Sequence, residues 1–240
     1  MTKRHVFAGN NTSRGFFSYF DYLINPREAE RIYILKGGPG TGKSSFMKKI
    51  STMLEKEHPL EYIHCSSDNE SLDGIVILDI KVAFVDGTAP HTIDPVIPGA
   101  VDEIINLGNY LNNEELKAHK DEIIEISNTK SNLYKSAYTF LKGAGLVQDE
   151  IDSIYDRYTD NQKFKLLCEE ILEKIFSIPF ENPGSGKIRK LFLEAYTADG
   201  YINHTDSFCE DKKIWAIVGE NVNYASKLLE TIGKEAIRKG

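Results

Sequence analysis

A glycine-rich segment, GGPGTGKS at residues 37–44, carries the clearest chemical pattern in the chain. It fits the spacing G-x-x-x-x-G-K-[ST], in which backbone N–H groups surround phosphate oxygens and the lysine adds a positive charge. Lys43 is therefore predicted to bind phosphates and to take part in catalysis, and the hydroxyl of Ser44 is predicted to bind Mg²⁺. The predicted nucleotide-binding residues are Gly37, Gly38, Pro39, Gly40, Thr41, Gly42, Lys43, Ser44 and Ser45.

The residues on both sides of this segment predict the elements that must position it. RIYILK at 31–36 is apolar and β-branched, which is typical of a buried strand. Residues 43–57 carry apolar side chains at helical spacing. A strand before the loop and a helix after it are the context that this spacing requires, and the positive end of the helix dipole would face the bound phosphate.

A carboxylate that could complete a Mg²⁺ site follows another apolar strand. In KVAFVDG, residues 81–87, Asp86 comes after four apolar residues and before a glycine. Ligands of open α/β sheets bind at the carboxyl ends of the strands, so we predict that Asp86 shares the metal with Ser44. Asp79 is a second candidate for this role, and an ordinary turn aspartate is the alternative interpretation.

No glutamate follows Asp86 to polarise an attacking water, so another group must orient that water or turnover must be slow. The candidates for this role are Asp68, His91 and Asp94. Asp68 and Asp73 lie in HCSSDNESLDG at 64–74 and could both approach the γ-phosphate, and His91 follows Asp86 in GTAPH. An aspartate of the first segment could also be the base of a small-molecule kinase. Each of these residues has a plainer interpretation as a turn or helix-capping residue.

Strand-like and helix-like segments alternate through residues 1–112, the predicted nucleotide-binding core. This alternation predicts an α/β fold with a parallel sheet flanked by helices. Further strands are expected at 4–8, at 60–65 and within 74–87, where the pattern fits one or two strands, and a helix is expected at 99–111.

The chain changes character after residue 112. Residues 113–177 are expected to form a helical insertion, either two long helices that turn at GAG (143–145) or several shorter helices. A Pro/Gly/Ser-rich linker is expected at 178–188, followed by a separate C-terminal piece at 189–240. The aromatic residues predicted to be core positions of the helical region are Tyr134, Tyr138, Tyr155 and Phe164.

The C-terminal piece is an incomplete, degenerate repeat of the region around the glycine loop. Residues 214–232 align without a gap with residues 32–50, and residues 189–206 align with residues 4–21. Three replacements remove the phosphate chemistry: Val222 stands for Gly40, Tyr224 for Gly42 and Ala225 for Lys43.

The repeat keeps the apolar residues of the strand and of the helix face, which packing requires. We therefore expect residues 214–218 to form a buried strand and residues 226–232 a helix, with no nucleotide between them. The prediction is one nucleotide site in the chain.

The composition excludes several other classes of protein. The 240 residues carry a net charge of −7 and a sequence pI of about 5.5, so no overall positive field attracts nucleic acid. Three scattered cysteines predict reduced thiols rather than a disulfide framework. No apolar leader or long apolar run occurs, so we expect a cytoplasmic protein without a membrane span.

Three segments resemble a family of bacterial tandem P-loop proteins that are mostly described as uncharacterised ATPases. They are RHVFAGNNTSRGF, ILKGGPGTGKSS, and HCSSDNESLDG together with VDGTAPHTIDPVIPGAVDEIINLG. The resemblance implies a P-loop NTPase sheet that binds ATP through Gly37–Ser45, with a site built partly from Asp68, Asp86 and the TAPH segment that ends at His91. Family members carry a second, intact P-loop, whereas the second copy here is degenerate and stops early.

The leading functional prediction is a Mg²⁺-dependent ATPase whose helical region moves with the state of the bound nucleotide. The alternatives are a P-loop kinase for a small acceptor and a nucleotide-binding regulatory module with little turnover. ATP is expected by elimination and by the resemblance, because no base-reading N/T-K-x-D segment of the GTP-binding type occurs. An additional protein partner remains open.

Overall fold

The computed structural model describes residues 2–177, 187–209 and 214–239. A mixed six-stranded sheet is its largest element. The sheet strands are β1 (Lys3–Phe7), β4 (Arg31–Lys36), β5 (Leu60–His64), β6 (Leu72–Ile77), β7 (Val82–Asp86) and β8 (Asp102–Asn106). Their order across the sheet is β1-β5-β6-β7-β4-β8. Two hairpins lie outside it, built from β2 (Gly9–Thr12), β3 (Gly15–Ser18), β9 (Glu194–Thr197) and β10 (Gly200–Asn203).

Six α-helices accompany these strands in the part of the chain that the structure describes. They are α1 (Lys43–Leu54), α2 (Asn113–Ala118), α3 (Lys120–Tyr158), α4 (Asn161–Ile175), α5 (Asp206–Cys209) and α6 (Val222–Lys239). Short 3-10 helices occur at Phe20–Tyr22 and Leu107–Tyr110.

The sheet is mostly parallel, and β6 is the strand that runs against the others. It pairs antiparallel with both β5 and β7, whereas the remaining neighbours pair in parallel. The prediction of an α/β fold with helices against a largely parallel sheet is therefore confirmed. The segment 74–87 forms two strands because the turn at residues 78–81 reverses the chain.

Alternating side chains build an apolar core on each face of the sheet. Ile32 and Ile34 point to one face, where Val85 of the neighbouring strand and Phe20 join them. Leu35 points to the other face, against Met47 and the apolar side of α1. This alternation is what a strand buried on both faces requires, and it explains why RIYILK is recognisable as a strand.

The helix expected at 99–111 is wrong. Residues Asp102–Asn106 instead form β8, which pairs in parallel with β4, and a 3-10 helix follows. The buried Asp102 carboxylate accepts hydrogen bonds from the backbone N–H groups of Val96 and Ile97, at 2.7 and 2.5 Å, and so fixes the entry to the strand. The pairing of β8 satisfies the backbone groups along the outer edge of β4, which a helix at 99–111 would leave without ladder partners.

The helical region differs from the expectation at its centre. No turn occurs at 143–145, and α3 runs without interruption from Lys120 to Tyr158, so that prediction is wrong. A glycine inside a helix costs only about 1 kcal/mol, which a helix of 39 residues tolerates. The chain breaks later, where Asp160 caps α4 by accepting from the N–H groups of Gln162 and Lys163.

The aromatic residues expected in the core of these helices are half-buried instead. α3 contains no buried residue, and Cys168 is the buried residue of α4. The half-buried set comprises Tyr134, Tyr138, Tyr155 and Phe164. Several apolar residues at the same helical spacing, among them Ile126, Leu133 and Val147, are exposed, so the periodicity predicted a helix and overstated its burial.

The buried strand expected at 214–218 is also wrong. Those residues form no strand, and Ile214 and Val218 are 60% and 94% exposed. The helix expected at 226–232 is confirmed within α6, where Leu228 is buried. An apolar run without a neighbouring strand edge has no ladder to join, and this decides the outcome at 214–218.

The chain divides into two compact units. One comprises Met1–Lys142 with Lys190–Lys212, and the other comprises Gly143–Arg189 with Lys213–Gly240. Of the linker expected at 178–188, residues 178–186 lie outside the described residues. Among the helices of the described ranges, none is both long and apolar enough to cross a bilayer.

The two hairpins of the first unit match one another position by position. Thr12 and Thr197 each accept a turn N–H and donate to the carbonyl of Gly15 and Gly200, respectively. The equivalent residues Phe7 and Phe192 exchange both of their backbone hydrogen bonds, at 2.8 and 2.9 Å. The aligned segments 4–21 and 189–206 thus share a local structure and pair with each other.

Three histidines pack together beside this pairing. His5 and His64 approach to 2.9 Å between ring nitrogens, and the ring centroid of His204 lies 4.6 Å from that of His64. His204 also stacks on Phe7, and its buried Nε2 has no hydrogen-bond partner within the described chain. Burial, reinforced by the neighbouring histidines, lowers the pKa of His204 to about 4.

This cluster makes the unfolding free energy depend on pH. His204 is neutral in the folded unit down to about pH 4 and protonates near pH 6.5 when unfolded, so acid favours the unfolded chain between these values. We expect His204→Phe, which keeps the stacking on Phe7, to flatten the fall in unfolding free energy from about pH 7 to about pH 5. Urea denaturation at several pH values measures this. His119→Gln, on the exposed start of the helical region, is the control; equal slopes in wild type and His204→Phe would contradict the prediction.

Candidate functional site

The glycine loop, residues 37–42, connects β4 to α1. Gly40 and Gly42 have φ values of 78° and 84°, in the left-handed region that side chains disfavour. Thr41 closes the loop by donating its hydroxyl to the carbonyl of Gly38, at 2.9 Å. The exposed loop therefore leads directly into the N-terminus of α1, where backbone N–H groups are free of helical partners.

Lys43, the first residue of α1, is turned into the protein. Its side chain is 9% exposed, and its Nζ donates to the carbonyls of Gly37 and Gly38 at 2.7 and 3.0 Å. The same Nζ lies 3.6 Å from Oδ2 of Asp86. The loop thus holds a buried cation at its base.

Asp86 ends β7, the strand next to β4, and the parallel register places it opposite Leu35. Its Oδ1 accepts from the N–H and hydroxyl of Thr88, at 2.9 and 2.5 Å, which leaves Oδ2 toward Lys43. Asp79 lies elsewhere: it sits in the turn after the antiparallel β6, pairs with His58 at 2.8 Å and is exposed. Of the two candidates, Asp86 is the one that meets the loop.

Ser44 lies one residue further along α1. Its hydroxyl oxygen accepts from the N–H of Leu72, at 3.0 Å, and this contact joins the start of α1 to the start of β6. Asp73 follows Leu72 and is thereby brought to the same region. The oxygen donors of Ser44 and Asp86 are of the kind that Mg²⁺ prefers.

Asp73 and His91 complete a buried polar cluster with Asp86. Ligand atoms of the three side chains lie within 4.8 Å of one another. Nε2 of His91 is 3.9 Å from Oδ1 of Asp73, and the imidazole stacks on Phe20 at 4.1 Å between ring centroids. The structure therefore places His91 beside Asp86 and Asp73.

Burial sets the protonation of this cluster. Loss of water raises the pKa of Asp73 to about 7; a hydrogen bond from Cys65 opposes this, and the negative charge of Asp86 adds to it. Burial also lowers the pKa of His91 below its usual value. Burial therefore disfavours the charged forms of both side chains, and the Asp73 carboxyl changes its charge near neutral pH.

Asp68 has a different role from its neighbours. Its carboxylate accepts from the N–H of Glu70 and from the hydroxyl of Ser71, at 3.2 and 2.6 Å, and it is exposed. Both oxygens thus stabilise the turn before β6, and Asp68 does not belong to the group formed by Asp73, Asp86 and His91.

Asp73 is the residue of the cluster that the sequence singled out least clearly. It lies in the segment 64–74 beside Asp68, and both could have approached a phosphate. The signal that distinguishes them is position: Asp73 falls within an apolar strand, LDGIVI, where an acidic side chain is buried and requires a reason.

No protein-family model, curated protein or solved structure was found to match the chain. The arrangement of the side chains around the glycine loop therefore carries the functional argument.

Gly87 holds the Asp86 turn against the sheet, which leads to a test of the packing. A Cβ at Gly87 would lie 2.4 Å from Cγ2 of Ile34 and 3.2 Å from the carbonyl of Ile93. We expect Gly87→Ala to lower the unfolding free energy by about 1–3 kcal/mol, because overpacking forces the neighbours apart. Chemical denaturation measures the change. Gly38→Ala is the control, since nothing lies within 4 Å of its Cβ; an equal loss in both variants would contradict this interpretation.

Proposed function

We propose that this protein binds ATP with Mg²⁺ at the glycine loop and hydrolyses it, with a conformational change linked to the state of the nucleotide. One observation carries the proposal: Lys43 is buried at the base of an exposed glycine loop, against two loop carbonyls and Asp86. A buried lysine is costly unless its charge is used, and phosphate binding at a helix N-terminus uses it.

Phosphates would replace the present partners of Lys43. Its ammonium now donates to the carbonyls of Gly37 and Gly38, which are weaker partners than a charged phosphate oxygen. The N–H groups at the start of α1 add to the same attraction. The loop and Lys43 thus bind and orient the β- and γ-phosphates.

Ser44 and Asp86 would hold the metal ion of the nucleotide. Mg²⁺ supplies positive charge that offsets the negative charge on the transferring phosphoryl group. Asp86 would contribute its carboxylate, which Thr88 holds through Oδ1. Ser44 would contribute its hydroxyl, which the N–H of Leu72 orients.

The attacking water requires a polar group to orient it, and two candidates differ in their surroundings. Asp68 has both carboxylate oxygens engaged in its own turn. Asp73 and His91 lie beside Asp86, and neither ring nitrogen of His91 has a hydrogen-bond partner among the described residues. We therefore assign the orientation of the water to the side of the site formed by Asp73 and His91.

A small-molecule kinase is the second candidate, and Asp73 is the observation that favours it. A carboxyl group with a pKa of about 7 is suited to accept a proton from an acceptor hydroxyl at neutral pH. A regulatory module with little turnover is the third. Steady-state ATP hydrolysis, with and without candidate acceptors, separates the three: water as acceptor, a required second substrate, or binding without turnover.

Lys43→Ala tests the phosphate site. We expect the affinity for ATP to fall on the order of tenfold to a hundredfold, about 1.4 to 2.8 kcal/mol, because the buried cation is lost. Isothermal titration with Mg²⁺ and ATP measures it. Lys48→Ala removes an exposed lysine from the same helix and should leave the affinity unchanged. Unaltered binding by Lys43→Ala would refute the proposal.

Asp86→Asn tests the metal ligand separately from binding. Turnover with Mg²⁺ should fall roughly a hundredfold, because the neutral amide stabilises the metal and the developing charge less well. Asp79→Asn is the matched control, since that carboxylate lies in the exposed turn with His58. Equal losses of turnover in Asp86→Asn and Asp79→Asn would contradict the assignment of Asp86 as the metal ligand.

A further inference from the structure

Three potential metal ligands converge beside the glycine loop from separate parts of the chain. Asp73 lies near the start of β6, Asp86 ends β7, and His91 lies in the segment that follows. One ligand atom from each side chain falls within 4.8 Å of the other two. A first-row divalent ion about 2.1 Å from each ligand separates its ligands by roughly 3 to 4 Å, so small side-chain adjustments would close the site.

His91 supplies an independent indication that something binds here. Its side chain is 6% exposed, and neither Nδ1 nor Nε2 has a hydrogen-bond partner within the described residues. A buried polar atom without a partner costs about 1–3 kcal/mol. Stacking on Phe20, with the two ring planes 5° apart, holds the imidazole with Nε2 toward Asp73. The ring is placed as a ligand would be.

The cluster carries more negative than positive charge, which favours binding of a divalent cation. Two buried or half-buried carboxylates, Asp73 and Asp86, face one lysine, Lys43, which lies 3.6 Å from Asp86. The single lysine offsets one of the two carboxylates, and a bound divalent ion would offset the charge that remains.

We propose that Asp73, Asp86 and His91 bind a divalent transition-metal ion of the Mn²⁺ type, independently of nucleotide. The donor set decides the class of ion. Mg²⁺ favours oxygen ligands and retains its waters, whereas an imidazole nitrogen beside two carboxylates suits Mn²⁺ and the later first-row ions. The proposal rests on the proposed function only through Asp86, which both would use. When bound, the ion would supply a positive charge with which Asp73 and His91 could orient water.

The test uses the full chain, Mn²⁺ and no nucleotide. We expect loss of the free-Mn²⁺ electron paramagnetic resonance signal with a stoichiometry of one ion per chain, and a ¹⁴N coupling in the pulsed spectrum from the bound imidazole. His91→Gln should abolish the ¹⁴N coupling and weaken Mn²⁺ binding at least roughly tenfold, the lower end of the loss expected when a ligand-sphere group is removed. His58→Gln is the control, because that histidine lies in the exposed turn pair with Asp79 and should change neither readout.

Each outcome decides the proposal. Absence of Mn²⁺ binding in wild type, binding without ¹⁴N coupling, or a coupling that survives His91→Gln would overturn it. The ¹⁴N spectrum of the wild type tests the proposal even if a variant folds poorly. Asp73→Asn is a second variant: it should weaken Mn²⁺ binding, while the ¹⁴N coupling to His91 persists at saturating Mn²⁺. Nucleotide is absent throughout, so a failure here leaves the proposed function to be decided separately by the ATP titrations of wild type and Lys43→Ala.

Discussion

The parallel pairing of β4 with β7 is the constraint on which the rest of the site depends. It sets Leu35 opposite Asp86, so the glycine loop that follows β4 and the carboxylate that ends β7 meet at the same edge of the sheet. The pairing is held by apolar side chains on both faces, among them Ile34 and Val85 on one face and Leu35 on the other. Because successive side chains alternate between faces, a shift of one residue would expose this core, and the register is therefore strongly fixed. The geometry of the polar groups follows from the packing of apolar ones.

The antiparallel β6 brings the remaining polar groups to this edge. Since it runs against its neighbours, its beginning rather than its end lies near the glycine loop, and Asp73 arrives there beside Ser44. Its end lies at the far edge, which places Asp79 in the exposed pair with His58. One reversed strand thus explains why two aspartates at the ends of a single apolar segment have such different surroundings. It also concentrates carboxylates around Lys43, the buried lysine of the described core.

Sequence reasoning located the loop, its strand and its helix because the motif and the periodicity are local. The position of Asp86 could also be predicted, since a glycine follows it and ends the strand. The strand β8 could not be predicted, because the choice between a helix and a strand at 99–111 depends on whether β4 has an open edge. That edge is a property of the assembled sheet. The choice of Asp73 over Asp68 could not be made from the sequence for a related reason. The burial of Asp73 follows from the direction of β6, and nothing in the order of residues states that direction.

The two copies of the internal repeat share some structural elements and differ in the side chains of the glycine loop. The hairpins β2–β3 and β9–β10 keep the same turn and the same threonine contacts, and the equivalent Phe7 and Phe192 bind each other. The segment that aligns with the glycine loop kept its helix, α6, but not its strand. A hairpin supplies its own pairing partner, whereas a strand at the centre of a sheet needs neighbours on both sides. In the second copy the loop glycines and the lysine are replaced, and the described residues of that copy form no sheet that could hold them. The phosphate site proposed for the first copy depends in the same way on the β4–β7 pairing.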